Sequence, residues 1–167
     1  TASAMKSIDA LAKTADKIGI TTEALAGLQF AGEQTGVSTE TMNMALQRFT
    51  RRVSEAAQGS GEAVNALKEL NIDAKSLSDL PLDQQMGVVA DSMQDVGTQA
   101  DRVRIAMKLF DSEGVALVNT LAGGSAGLQN MAKEADLLGL AISRQDAARI
   151  TMANDALNKA SKLFEAL

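Results

Sequence analysis

The feature that most constrains this chain is a corner that recurs. Gly19-Ile20-Thr21-Thr22-Glu23 is followed by Gly36-Val37-Ser38-Thr39-Glu40, and a variant stands at Asn71-Ile72-Asp73. Each joins a helix stop to a helix start. Gly or Asn takes the left-handed backbone conformation that ends a helix. Two residues on, Thr21, Ser38 or Asp73 offers a side-chain oxygen to cap the next helix. The apolar residue between them precedes the cap, where it packs on the fourth residue of the new helix. The resulting pairs are Ile20 with Leu25, Val37 with Met42 and Ile72 with Leu77. Glu23 and Glu40 place negative charge in the first turn, where the helix dipole favours it. A chain punctuated in this way is a set of short helices joined by tight corners. It is a scaffold pattern, with no chemistry in it.

The rest of the sequence agrees with an all-α fold. There is one proline, Pro81, among 167 residues, so long stretches can be helical without interruption. Val, Ile and Thr do not alternate with polar residues over any useful length, and no strand is predicted. The only aromatics are Phe30, Phe49, Phe110 and Phe164, so the core must be built from Leu, Ile, Val, Met and Ala.

Histidine and cysteine are both absent. That removes a Cys nucleophile, a Ser-His-Asp triad, a His general base, a Cys/His zinc site and any disulfide. The net charge of −5 argues against strong binding to a phosphate backbone. The longest apolar run, about Leu137 to Ile142, falls far short of the ~18 residues of a membrane span. Lys6, Asp9 and Lys13 interrupt what would be the apolar stretch of a signal peptide. The chain begins at Thr1 without an initiator Met, and the expectation is a piece excised from something longer.

Helical spacing marks the elements in turn. Ala4, Ile8, Leu11, Ala15 and Ile18 form one apolar stripe, ended by Gly19. A second helix is predicted over 22–34 with Leu25, Leu28 and Phe30 inward. A third, over 39–57, carries Met42, Leu46, Phe49, Val53 and Ala56 or Ala57. Gly59-Ser60-Gly61 breaks it, and a fourth over 62–70 buries Val64, Leu67 and Leu70. A single turn at 73–80 leads to Pro81, near the start of a helix with Met86, Val89, Ala90, Met93 and Val96. Residues 99–110 give the next, with Val103, Ala106, Leu109 and Phe110. A corner at Asp111 to Gly114 then leads to a short helix through Leu121. After Gly123-Gly124-Ser125 comes a helix with Leu128, Met131, Ala135 and Leu138, ended by Gly139. Ser143 then caps a last, long one. In that last helix Ile150, Ala153, Leu157, Ala160, Phe164 and Leu167 fall at a and d positions of a heptad, and the first stripe allows the same reading. A plain amphipathic helix accounts for so few heptads equally well. The expected division is a terminal helix over 1–18, a compact multi-helix region over 19–142 and a long C-terminal helix over 143–167. Both ends look like coiled-coil stubs.

Several motifs invite a chemical reading and do not sustain it. Gly59-Ser60-Gly61 follows a helix and lacks the Lys-Ser/Thr pair of a phosphate loop, so it reads as a helix breaker. Asp111-Ser112-Glu113-Gly114 lacks the further oxygen ligand and the distal Glu of a calcium loop. Arg48, Arg51 and Arg52, and likewise Arg102, Arg104 and Lys108, are read as solvated faces with local ion pairs, Glu55 lying within reach of Arg51 and Arg52. The eight Met residues sit mostly at buried spacings and are read as core, against the alternative of a Met-rich groove for partner helices. Asp91 and Asp95, one turn apart, are read as surface acids. No catalytic, cofactor-binding or metal-ligating residue is assigned, and no cofactor is expected.

The same pieces stand in a familiar order. Residues 8–19, Ile8-Asp9-Ala10-Leu11-Ala12-Lys13-Thr14-Ala15-Asp16-Lys17-Ile18-Gly19, run into Ile20-Thr21-Thr22-Glu23-Ala24-Leu25. Leu46-Gln47-Arg48-Phe49, the Ala56-Ala57-Gln58-Gly59-Ser60-Gly61-Glu62 break and Leu67-Lys68-Glu69-Leu70-Asn71-Ile72 follow. Then come Arg104-Ile105-Ala106-Met107-Lys108-Leu109-Phe110 with Gly114, and the Asp136-Leu137-Leu138-Gly139 corner. Together they resemble a region of the tail tape measure proteins of tailed phages and prophages, over about residues 8 to 160. The family often has Gly where this chain has Asn71 and Asp111.

The resemblance implies a structural protein and no enzyme: a long helical chain that sets tail length while the tail tube polymerises around it. It implies tail tube, tail assembly chaperone and baseplate or initiator proteins as partners, with homo-oligomers, no specific nucleic acid and no membrane span. It places the protein in the tail interior of the virion, and in the host bacterial cytoplasm during assembly. Some tape measure chains carry cell-wall-cleaving domains, but this chain supplies no base and nucleophile for one. The competing class is a generic helical partner-binding or regulatory module.

Overall fold

The computed structural model describes residues 2–166, with side chains over 9–139 and 152–166. Every regular element among them is helical: α1 (Ala2–Ile18), α2 (Thr22–Gln34), α3 (Thr39–Ala57), α4 (Ala63–Glu69), α5 (Ala74–Ser78), α6 (Leu82–Met93), α7 (Gln99–Phe110), α8 (Gly114–Leu121) and α9 (Gly124–Glu165). A single 3-10 turn, Asp111–Glu113, joins α7 to α8.

The three recurrent corners form as the sequence predicts. Gly19, Gly36 and Asn71 all have positive φ, at 86°, 86° and 57°. The amide of the apolar residue after each reaches back to the helix just ended: Ile20 N–H to the Ala15 carbonyl, Val37 to Gly32 and Ile72 to Leu67. These are the long bonds of a Schellman ending. One residue later the caps close, with the Thr21 hydroxyl accepting from the Ala24 amide, Ser38 from Thr41 and Asp73 from Ser76. One apolar side chain thus serves both the end of one helix and the start of the next. That is why the connections are so short. Thr98 adds a fourth cap of this kind, at the start of α7.

The core lies between α2, α3, α6, α7 and α8. Phe49 of α3 stacks on Phe110 of α7 with ring centroids 4.9 Å apart, and both are fully buried. Leu25, Met42, Leu46, Val89, Leu109 and Leu117 belong to the same core and have no exposed surface. Ala15 and Ile18, at the end of α1, belong to the same core, so no gap separates residues 18 and 19. Val64 and Val103 are only partly buried, as is Phe30. Ala4 and Ile8 of the first stripe lie outside the described side chains.

Two positions are set by close approach. A methyl group on Gly114 would run into the Ala106 carbonyl of α7, so α8 can start against α7 only with Gly there. On α2, a Cβ at Gly27 would lie 3.1 Å from that of Ala132, which lets α9 lie close along α2.

The expected stop at Gly139 is absent. α9 is one helix of 42 residues, running through Gly139 and Ser143, so the boundary expected at 142/143 falls inside it. At the true corners a polar cap follows the stop by two residues; after Gly139 come Leu140, Ala141 and Ile142. A lone Gly in a helix costs only about 1 kcal/mol relative to Ala, too little to end it.

Candidate functional site

The arginine clusters resolve into separate structural tasks. Arg48 pairs with Glu113 at 3.1 Å, and Arg51 with Glu55 at 3.7 Å. Arg104 makes a two-pronged pair with Glu69 and also reaches Asp101. Arg51–Glu55 and Arg104–Asp101 agree with local ion pairs on a wet face, whereas Arg48–Glu113 ties α3 to the 3-10 turn and Arg104–Glu69 ties α7 to α4. Glu69 and Asp101 are held below the usual carboxylate range, first by their hydrogen bonds from Arg104, and the Arg104 guanidinium is pushed up by the same bonds. Asp73 is lowered by its hydrogen bonds from Ser76.

Arg52 departs from the expectation of a solvated face. It is buried, and its guanidinium donates to the Met107 and Lys108 carbonyls, at 2.8 and 2.6 Å. Those carbonyls lie in the last turn of α7, and that of Met107 also accepts from the Asp111 amide. Its other nitrogen pairs with Asp111 at 3.3 Å and Glu62 at 3.4 Å, and not with Glu55. Asp111 itself sits at φ 64°, ψ −151°, a backbone region that is nearly Gly-only. Asn71 and Asp111 are the non-glycine residues with positive φ among the described residues. Arg52 and the Ser112 amide, which donates to Asp111 Oδ1 at 2.9 Å, hold the strained residue in place. The calcium-like motif is thus a helix corner.

Asp91 also has a task the sequence reading missed. Its Oδ1 accepts from the Ser125 amide at 2.7 Å, so a side chain on α6 caps the first turn of α9. Gln94 completes the joint by donating to the Ala122 carbonyl at 2.7 Å. Neither is legible from local sequence, because the partners are some thirty residues apart.

Two surfaces remain. Between α2, α6 and α9 lies a groove of about 320 Å³, lined by Gly27, Leu28, Gly87, Asp91, Leu128 and their neighbours. No Met lines it. Met42, Met86 and Met93 are core, Met131 packs partly against it, and Met44, Met107 and Met152 are exposed. The other surface is the distal part of α9. Leu137 and Leu138 are exposed, and so is every described side chain from 152 onward, with Leu157 at 65% and Phe164 at 82%. Ile150 and Leu167 of the heptad stripe lie outside the described side chains.

Among the described residues no three His, Cys, Asp or Glu side chains gather as a metal site, and no helix is long and apolar enough to cross a membrane. The arrangement offers contact surfaces and ion pairs. Comparison with protein-family models, with curated proteins and with solved structures finds no match to this chain.

Proposed function

We propose that this chain is a segment of a phage or prophage tail tape measure protein, one that helps set tail length and scaffold assembly of the tail tube. The observation that carries the reading is where the resembling residues sit. The Ile20–Leu25 corner, the Gly59–Gly61 break, the Leu67–Ile72 corner and Phe49 with Phe110 occupy helix ends and the centre of the core. The resemblance therefore rests on residues that determine the fold. α9 adds a second support. At about 1.5 Å per residue its 42 residues span about 63 Å, a form in which chain length translates directly into distance. The role is structural, without catalysis or cofactor. Its partners are the tail tube, assembly chaperones and baseplate or initiator, met in the bacterial cytoplasm and retained in the tail interior.

The second reading, a generic partner-binding module with a Met-rich groove, finds no Met in the groove between α2, α6 and α9, and Met93 alone in the one between α6, α7 and α8. Tail length in electron micrographs, after an in-frame deletion of residues 20–140 from the parent gene, tests the proposal. Tails shorter by up to ~180 Å would mean that the region is extended in the tail and counts as ruler. A shortening of only ~40 Å would mean that it counts as a folded body. Tails of unchanged length would overturn the ruler role.

A further inference from the structure

The net charge of the chain is unevenly placed. Of its 21 acidic residues, Asp79, Asp83, Asp91, Asp95 and Asp101 fall in the stretch 76–101, which holds no Lys or Arg. The other 16 are matched by the 16 Lys and Arg, so the whole excess of −5 sits on α6 and its flanks. Asp101 is paired with Arg104. The other four make no ion pair among the described residues. Two of those four, Asp83 and Asp91, face the groove between α2, α6 and α9. With Gly87 they follow one another at four-residue spacing and share one stripe of α6, the two carboxylates being about 12 Å apart along it. Asp91 gives only Oδ1 to the Ser125 amide. Between the two acids the walls are apolar: Leu28 from α2, Val88 from α6 and Leu128 from α9. No Lys or Arg lines the groove; Lys133, the residue after Ala132, is followed by Glu134. A space of about 320 Å³ takes roughly ten waters, or one or two large side chains.

We propose that this groove docks a basic amphipathic helix of a partner protein. An apolar side chain of that helix enters between the walls, and a Lys or Arg on either side of it meets Asp83 and Asp91. Basic residues seven apart on a helix stand about 10.5 Å apart along its axis, close to the spacing of the two carboxylates. The residues three and four after the first basic one point the same way, into the space between them. The partner is a helix because every wall of the groove is a helix. An extended segment needs a strand edge for its backbone N–H and C=O groups, and no strand occurs among the described residues; a helix satisfies its own. The charges set the sign of the partner, since an acidic helix would bring like charge onto the surface that carries the chain's whole excess. The contact is small and its charged ends are wet, so it is weak and salt-sensitive, on the order of tens of micromolar at low salt. The inference rests on the groove and its charges and stands apart from the ruler reading.

The probe is a synthetic alanine-glutamine helix of about twenty residues, with two lysines seven apart, leucines between them and one tryptophan at its end. The chain has no Trp, so the anisotropy of the peptide's emission reports binding to the full 167-residue protein. Binding is expected at about 20 mM salt and should weaken about threefold or more at about 200 mM. Asp83→Asn should weaken it about threefold, and Asp83→Asn with Asp91→Asn about tenfold. Helical circular dichroism should not change, since asparagine keeps the oxygen that caps α9. Asp16→Asn with Glu40→Gln removes the same charge outside the groove and should leave binding unchanged. A peptide with alanine in place of its leucines should bind about fivefold more weakly or worse. No binding at about 1 mM peptide, or equal weakening by the two double variants, overturns the proposal. So does a dimer of the chain alone that Asp83→Asn with Asp91→Asn dissolves, which would put a second copy in the groove.

Discussion

α3 and the distal part of α9 are written in the same code and meet opposite fates. Both place apolar residues three and four apart, and both have a Phe on the stripe. In α3, Met42, Leu46 and Phe49 are fully buried; in α9, Leu157 and Phe164 are largely exposed. The difference lies in what surrounds the helix. α3 is bounded at each end by a corner that turns the chain back, so neighbours arrive on its stripe from α2, α4 and α7. α9 has a corner at its start, and among the described residues past Ala135 no side chain of α9 is covered. Apolar periodicity fixes which face of a helix is to be covered, and the corners decide whether the same chain covers it.

The sharpest test is therefore to make equivalent changes in both regions. Phe110→Ala should cost about 3–5 kcal/mol in urea unfolding, because it removes half of a buried aromatic stack and leaves a cavity. Arg52→Met should cost about 2 kcal/mol, since the Lys108 carbonyl loses the Arg52 donor, the Met107 carbonyl keeps only the Asp111 amide, and Asp111 loses its ion pair. Ser38→Ala should cost about 1 kcal/mol, the usual worth of a helix cap, and should shift the same unfolding transition.

A smaller effect is expected from acid. Glu69, Asp73 and Asp101 have folded pKa values below their unfolded ones. Their stabilisation is complete above about pH 4.5 and is lost as pH falls through the lowered values. Asp73→Asn, which keeps a capping oxygen, should flatten part of that acid dependence in thermal melts. At the bottom of the scale, Leu157→Glu and Phe164→Glu should move the unfolding of the body by no more than about 0.5 kcal/mol. A large loss there would erase the contrast between the two regions.

What could be read beforehand follows the same division. The corners before α2, α3 and α5 were legible because stop, apolar pivot and cap are consecutive residues with local hydrogen bonds, while the uncapped starts of α4, α6 and α8 were marked by Gly or Pro. Gly139 misled because it is a stop residue without a cap two positions later. Arg52, Asp91 and Gly114 were not legible because each acts on a distant helix: Arg52 on the carbonyls of α7, Asp91 on the first turn of α9, Gly114 on the backbone of α7. The heptad stripe of α9 was legible in the sequence, whereas the exposure of its Leu157 and Phe164 is seen only with the body in view.

The close fit of α9 against the body has a mechanical consequence. Where α9 meets α2 and α6, Gly27 faces Ala132 and Gly87 faces Ser125, side chains too short to interlock deeply, and Leu128 is the large side chain that α9 buries there. A tension applied to the far end of α9 would load that contact in shear, with little friction to resist sliding. The stress would concentrate on the Asp91–Ser125 bond and the Gly123-Gly124 bend.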